Sequence, residues 1–266
     1  MEAFNNIKNR RSVRTFLKTP FRQETEDFIK EYLEDLKTET GPFSHTLNIS
    51  TIDIEDGKKV GTYGIIKNPQ KYIAATVVNT IEGLMDFGYL FEKMILDFNI
   101  KKIGTCWMAG TFKRTDFSHM TFNENDVLPA VTPIGYFENR RFFENLMRKA
   151  AKSDMRLPYE TLFFNENFET PMAEHQALEA VRLGPSASNK QPWRILVKED
   201  TYHLYLEENV KYNNTLSFKM QYLDMGIAMY HLEVALKEME IEKTWIKENP
   251  NVSVPNENYI YVVSYK

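Results

Sequence analysis

The chain has 266 residues, of which 42% are hydrophobic, 13% aromatic and 26% charged. That balance is globular, which excludes extensive disorder, and the length suits one large core or two fused halves of about 130 residues each. A net charge of −4 and a pI near 5.8 argue against broad nucleic-acid binding, which rests on an excess of Lys and Arg facing phosphates.

Taken from the N-terminus, residues 1–16 are polar and basic and contain no apolar signal core. Phe28, Ile29, Tyr32, Leu33 and Leu36 recur at helical spacing within 20–40, and Gly41-Pro42 stops that helix. Residues 47–52 alternate as a strand, 71–78 read as a buried strand, and 82–99 as a long apolar helix. The segment 103–112 reads as a glycine-punctuated loop leading into a short helix, and 127–136 as a strand. A charged, helix-prone stretch, 138–153, follows. The order then repeats, with a helix at 172–183, strands at 194–198 and 202–207, a helix at 217–239 and a strand at 259–265. No apolar stretch is long enough to span a bilayer, and the single Cys106 excludes an intrachain disulfide, so a cytoplasmic protein without a membrane partner is expected.

The repetition extends to details. Asp86-Phe87-Gly88 precedes Trp107 by 21 residues, and Asp224-Met225-Gly226 precedes Trp245 by the same 21. The losses are complementary. Arg10-Arg11-Ser12-Val13-Arg14 opens the first half and has no match before Ala177, whereas the polar run Gly184-Pro185-Ser186-Ala187-Ser188-Asn189-Lys190-Gln191-Pro192-Trp193-Arg194 is reduced in the first half to Gly41-Pro42-Phe43-Ser44-His45. A duplication with such losses suggests one composite ligand site where two copies once formed two. The expected halves are 1–153 and 154–266, tightly packed because no Gly/Ser linker separates them.

Arg10, Arg11, Ser12 and Arg14 form a compact anion-binding set, since guanidinium groups fork onto phosphate oxygens; a solvated basic N-terminus is the alternative. In the 184–194 run, Gly184 suits a helix C-terminus and Pro185 forbids continuation. Ser186, Ser188 and Asn189 then offer short hydrogen-bonding groups at a sheet edge, where ligand sites gather, although a plain helix-to-strand connection is also open. Backbone amides of the Gly104–Phe112 loop could donate to an electron-rich ring. Cys106 has no histidine at a suggestive spacing, and Trp107 reads equally as core or as ligand-facing. The five histidines lie more than 25 residues apart, which offers no metal-ligand spacing, and neither a Walker loop nor a dinucleotide glycine fingerprint is present.

Together these segments resemble the FMN-dependent nitroreductase family. Arg10–Arg14 resembles its phosphate motif, Pro185–Trp193 its most specific signature, Gly104–Gly110 its loop over the flavin edge, and Arg156-Leu157-Pro158 its Arg-x-Pro. The likeness is greatest to a subgroup with two nitroreductase halves in one polypeptide. It implies an α+β, nitroreductase-like fold, tandem duplicated, with antiparallel-rich sheets flanked by helices in an intramolecular pseudo-dimer, hence a monomer. It implies one FMN per chain, its phosphate held by Arg10, Ser12, Arg14 and Arg156. Ser186, Ser188 and Asn189 would take the ribityl chain and ring, and the backbone at Ala109 and Gly110 would face N5 and O4. Arg11, Trp107, Pro185, Ala187 and Gln191 belong to the same binding segments. The activity implied is oxidoreduction, with hydride passing from NAD(P)H through flavin N5 to a nitroaromatic, quinone or similar small-molecule acceptor, and no side-chain acid or base or metal is called for. A non-catalytic FMN-binding or flavin-storage module is the alternative. Gly61-Thr62-Tyr63-Gly64 could border the flavin.

Overall fold

In the computed structural model, residues 2–53, 60, 65–117, 123–138, 155–209 and 217–266 are described. Residues 139–153 of the helix-prone segment 138–153, and the Gly61–Gly64 turn, lie outside them. The chain forms two compact units, residues 10–151 and residues 1–9 with 152–266.

The unit of residues 10–151 begins with helix α2 (Gln23–Thr38), preceded in the chain by α1 (Glu2–Asn9). Strands β1 (Asn48–Ile52) and β2 (Lys71–Val78) follow, then helix α3 (Ile81–Ile100). Short strands β3 (Gly104–Thr105) and β4 (Asp126–Val127) lead to β5 (Val131–Gly135). The sheet order is β1-β2-β5-β3, wholly antiparallel, with β4 on β2. Strand β2 is central, and its six inner residues are all buried, which is why it reads as a run apolar except at Thr76 instead of an alternation. Thr80 caps α3, its side chain accepting from Gly83 N at 3.0 Å. The expected strand 127–136 is interrupted because Leu128-Pro129-Ala130 separates two paired stretches. Where β3 stops, Cys106 N donates instead to the Thr132 hydroxyl at 2.9 Å. One cluster in this unit packs Tyr72, Met108, Phe112, Phe117, Leu128 and Val131 together.

The second unit adds β6 (Phe163–Asn165), α4 (Gln176–Arg182), β7 (Trp193–Lys198), β8 (Thr201–Glu207), α5 (Gln221–Glu238), β9 (Trp245–Ile246) and β10 (Tyr259–Tyr265). Its sheet runs β6-β7-β8-β10-β9, so β7-β8-β10-β9 follows the same connectivity and order as β1-β2-β5-β3. Only β6 is parallel to its neighbour, β7. Helix α1 packs on α4 and α5, and Glu238 of α5 accepts from Ala3 N at 2.9 Å and Phe4 N at 3.3 Å, satisfying open N–H groups of its first turn. The expected helix 172–183 starts later because Asn165 N bonds Thr170 O and Met172 N bonds Phe163 O, which draws 170–172 into pairing with β6. The chain thus has an α+β architecture of helices and antiparallel-rich sheets. No helix among the described residues is long and apolar enough to cross a membrane.

Candidate functional site

The site residues expected from sequence fall into two sets, one in each unit. In residues 10–151, the arginine motif runs beside the glycine loop. Ser12 bridges Thr105 in parallel fashion, and Val13 N donates to Thr105 O at 2.7 Å. Arg14 O accepts from Lys67 N at 2.8 Å. This pairing explains Gly104, because a Cβ there would meet Phe137 at 2.8 Å and Val13 at 3.1 Å. Ser12 and Val13 are thereby fixed by backbone pairing to Thr105 of the loop that sequence reading placed at a ring edge, and Arg14 is held by Lys67.

The arginines differ in their surroundings. Arg14 Nη1 is buried and has no hydrogen-bond partner. An unsatisfied buried donor on a cation costs more than a neutral one, so it marks a place for an anion. Arg11 stacks its guanidinium 5.3 Å from the Phe137 ring centroid. Arg10, its side chain 8% exposed, has Nε 3.7 Å from Glu92 Oε1. Trp107 donates from Nε1 to Glu92 Oε2 at 2.7 Å and packs 4.8 Å from the Phe91 ring.

Ala109 and Gly110 follow on that loop, Gly110 exposed and Ala109 half-buried. Sequence reading missed the residue that holds them. Arg114 donates to Ala109 O at 3.2 Å, Leu128 O at 3.1 Å and Pro129 O at 3.3 Å, with its guanidinium 4.9 Å from the Phe112 ring centroid. Burial lowers its pKa from the ordinary arginine value. Cys106 is buried, its thiol directed at Trp107 O at 3.8 Å, which does not suit a nucleophile.

The second set is the corner from 184 to 194. Helix α4 ends at Arg182, and Gly184 N bonds Val181 O at 2.9 Å before Pro185 turns the chain away. A single 3-10 turn, Ala187–Asn189, follows. Ser188, Asn189 and Gln191 all adopt left-handed backbone, with φ of 51°, 55° and 49°. Three such non-glycine residues in four positions are costly and concentrate where a site needs a fixed shape. Ser186 Oγ accepts from Gln191 N at 2.8 Å. Gln191 is nearly inaccessible and holds the corner: its Oε1 accepts from Leu157 N at 2.9 Å and its Nε2 donates to Asn189 O at 3.2 Å.

Arg156 joins this corner, donating to Leu183 O at 2.9 Å and approaching Asn189 Oδ1 at 3.5 Å, while Asn189 Nδ2 donates to Met155 O at 2.8 Å. Trp193 is wholly buried, and Arg194 is tied to Gln191 O, Trp193 O and Glu207. Beneath the corner, Asp224 of α5 accepts from Ala187 N at 2.9 Å, and its other oxygen has no partner. Burial pushes its carboxyl pKa up to about 8.

The corresponding turn in residues 10–151 is built on the same carboxylate but is closed. Asp86 accepts from Phe43 N at 2.9 Å, His45 N at 3.0 Å and His45 Nδ1 at 2.9 Å. A Cβ on Gly41 would lie 2.3 Å from Asp86 Oδ1, so glycine is required there. Among the described residues no cluster of His, Cys, Asp and Glu could hold a metal ion.

The family model described as "Putative TM nitroreductase" matches residues 2–236. The chain belongs to this nitroreductase family. The crystal structure of a "putative nitroreductase" from Thermotoga maritima superposes with a TM-score of 0.62 at 21% identity, covering 100% of this chain and 93% of its own. An FMN-dependent nitroreductase from Clostridium difficile aligns at 16% identity and a TM-score of 0.38, over 56% of this chain and 96% of its own. A Bacteroides fragilis nitroreductase with bound FMN aligns at 15% identity and a TM-score of 0.40, over 53% and 94%. No curated protein matches.

Proposed function

We propose that this nitroreductase-family chain is an FMN-dependent oxidoreductase, arisen by tandem duplication, that binds one FMN and uses NAD(P)H to reduce nitroaromatic, quinone or similar acceptors. The observation that carries the reading is the buried, unpartnered Nη1 of Arg14, in a motif bridged to the glycine loop. A phosphate monoester supplies the acceptors that this guanidinium lacks. Arg10, Arg14 and the Ser12 hydroxyl would hold the phosphate, with Arg11 supplementing the positive field.

Ser186, Ser188 and Asn189 would bind the ribityl chain and ring, in a corner shaped by Pro185, Ala187 and Gln191. Arg156, which approaches Asn189 at 3.5 Å, would help to hold the phosphate. The N–H groups of Ala109 and Gly110 would donate toward the ring edge, with Trp107 alongside. When bound, FMN supplies the hydride chemistry at N5. The protein's own task is to bind, to orient and to exclude water, with fixed dipoles in place of an acid or base.

The duplication is supported by the shared strand order of the two sheets. A single flavin is supported by the Phe43–His45 turn, whose carboxylate is already satisfied by its own chain. We further propose a monomer that contains its own pseudo-dimer, with halves near 1–153 and 154–266, acting in the cytoplasm. The test is to purify the protein with its flavin and to follow NAD(P)H oxidation with and without menadione or nitrofurazone. Acceptor-stimulated turnover supports the enzyme. Tight FMN without turnover points instead to a storage module, and a colourless protein that takes up no FMN contradicts both.

A further inference from the structure

Glu92 is out of place by composition. It lies in the middle of α3, wholly inaccessible, with Phe91 before it and Met94 and Ile95 just after. A buried carboxylate costs several kcal/mol unless it is paired and hydrogen-bonded. An apolar residue would serve the helix better, so the side chain has another use.

Its two oxygens are divided between two segments. Oε2 accepts the indole N–H of Trp107 at 2.7 Å, and Oε1 faces Arg10 Nε at 3.7 Å. The first is a charge-assisted hydrogen bond. The second exceeds hydrogen-bond length, so Glu92 restrains the guanidinium through charge and leaves its N–H donors uncommitted to that carboxylate. The Trp107 ring is also fixed by Phe91 at 4.8 Å and Phe87 at 6.3 Å between centroids.

The other unit repeats half of this device. Trp245 Nε1 donates to Glu233 Oε2 at 2.5 Å, but the cation there is Lys237, one turn along the same helix, at 2.6 Å from Glu233 Oε1. A helix carboxylate holding a tryptophan is therefore common to both units. Recruitment of an arginine from the N-terminal motif belongs to residues 10–151.

We propose that Glu92 is a positioning residue for the flavin site, setting Arg10 for the phosphate and Trp107 for the ring edge through one side chain. The proposal rests on the FMN reading above and extends it to a residue that touches no ligand.

The test is to measure dissociation constants for FMN and for riboflavin, by quenching of flavin fluorescence, in wild type, Glu92→Gln, Glu92→Leu, Arg10→Lys and Arg10→Lys/Glu92→Gln. The riboflavin-to-FMN ratio reports the phosphate contacts alone. Glutamine keeps an acceptor for the indole and loses the charge facing Arg10. Glu92→Gln is expected to bind riboflavin within about twofold of wild type while its preference for FMN falls at least fivefold. Glu92→Leu should weaken both ligands. Arg10→Lys should lose the FMN preference as well, with no further loss in the double variant, because both changes remove one interaction.

An unchanged or increased FMN preference in Glu92→Gln overturns the proposal, as do independent, multiplying losses in the double variant. Should Glu92→Gln fold poorly, Arg10→Lys decides: a preference equal to wild type overturns the proposal. Wild type that binds neither flavin sinks the FMN reading itself, a result distinct from any of these.

Discussion

Two aspartates at equivalent places show how one side chain can close or open a turn. Asp86 and Asp224 each lie early on a central helix and accept backbone N–H groups from the turn after the preceding helix. Asp86 receives three donors, whereas Asp224 receives one and keeps an unpartnered oxygen. Burial raises both carboxyl pKa values, that of Asp224 to about 8. Since the unfolded value is about 3.9, the stability supplied by protonated Asp224 is complete below about pH 4 and is lost as the pH rises through 8. Urea unfolding between pH 5 and 8 should therefore show wild type losing stability relative to Asp224→Asn, at up to roughly 1.4 kcal/mol per pH unit. Parallel curves for the two proteins would contradict the buried, protonated carboxyl. Gly41→Ala forces a Cβ against Asp86 and should cost about 1–3 kcal/mol, read from the unfolding midpoint. An unchanged midpoint would show that the turn yields without cost.

At the scale of elements, α3, α5, β2 and β10 were legible because long apolar stretches bury most of their length. The rest was hidden for specific reasons. Helix α1 buries only Ile7, and its placement depends on Glu238, more than 200 residues away. Strands β3 and β9 have two residues each, too few for a pattern. The β7–β8 hairpin is tighter than expected: Glu199 and Asp200 form a two-residue turn with φ of 48° and 60°, without the usual Asn-Gly signal. Glu199→Asn suits that backbone better and should raise stability by about 0.5 kcal/mol in thermal unfolding, the scale of relieved left-handed strain; a loss would mean that the glutamate side chain has a role. In the candidate site, Arg10–Arg14 and Ser186–Asn189 were recognisable as motifs, but Arg114 and Glu92 were not, because their meaning lies in contacts distant in sequence or with backbone carbonyls. Arg114→Met leaves three carbonyls without their charged donor and should destabilise by about 2–4 kcal/mol. A loss below about 0.5 kcal/mol would remove Arg114 from the support of the Ala109–Gly110 loop.

For the whole molecule, the two sheets share one order, and the two sets of site residues are unlike. That combination is what the proposed duplication with complementary losses predicts. Asn189→Ala and Arg10→Ala should each lower flavin retention about tenfold, whereas His45→Ala should leave it unchanged and cost stability alone. The central claim is the single flavin, and the most direct measurement of it is the absorbance ratio of flavin to protein after reconstitution with excess FMN and gel filtration. One FMN per chain is the predicted result. A ratio near two, or a protein that emerges without flavin, would contradict the account.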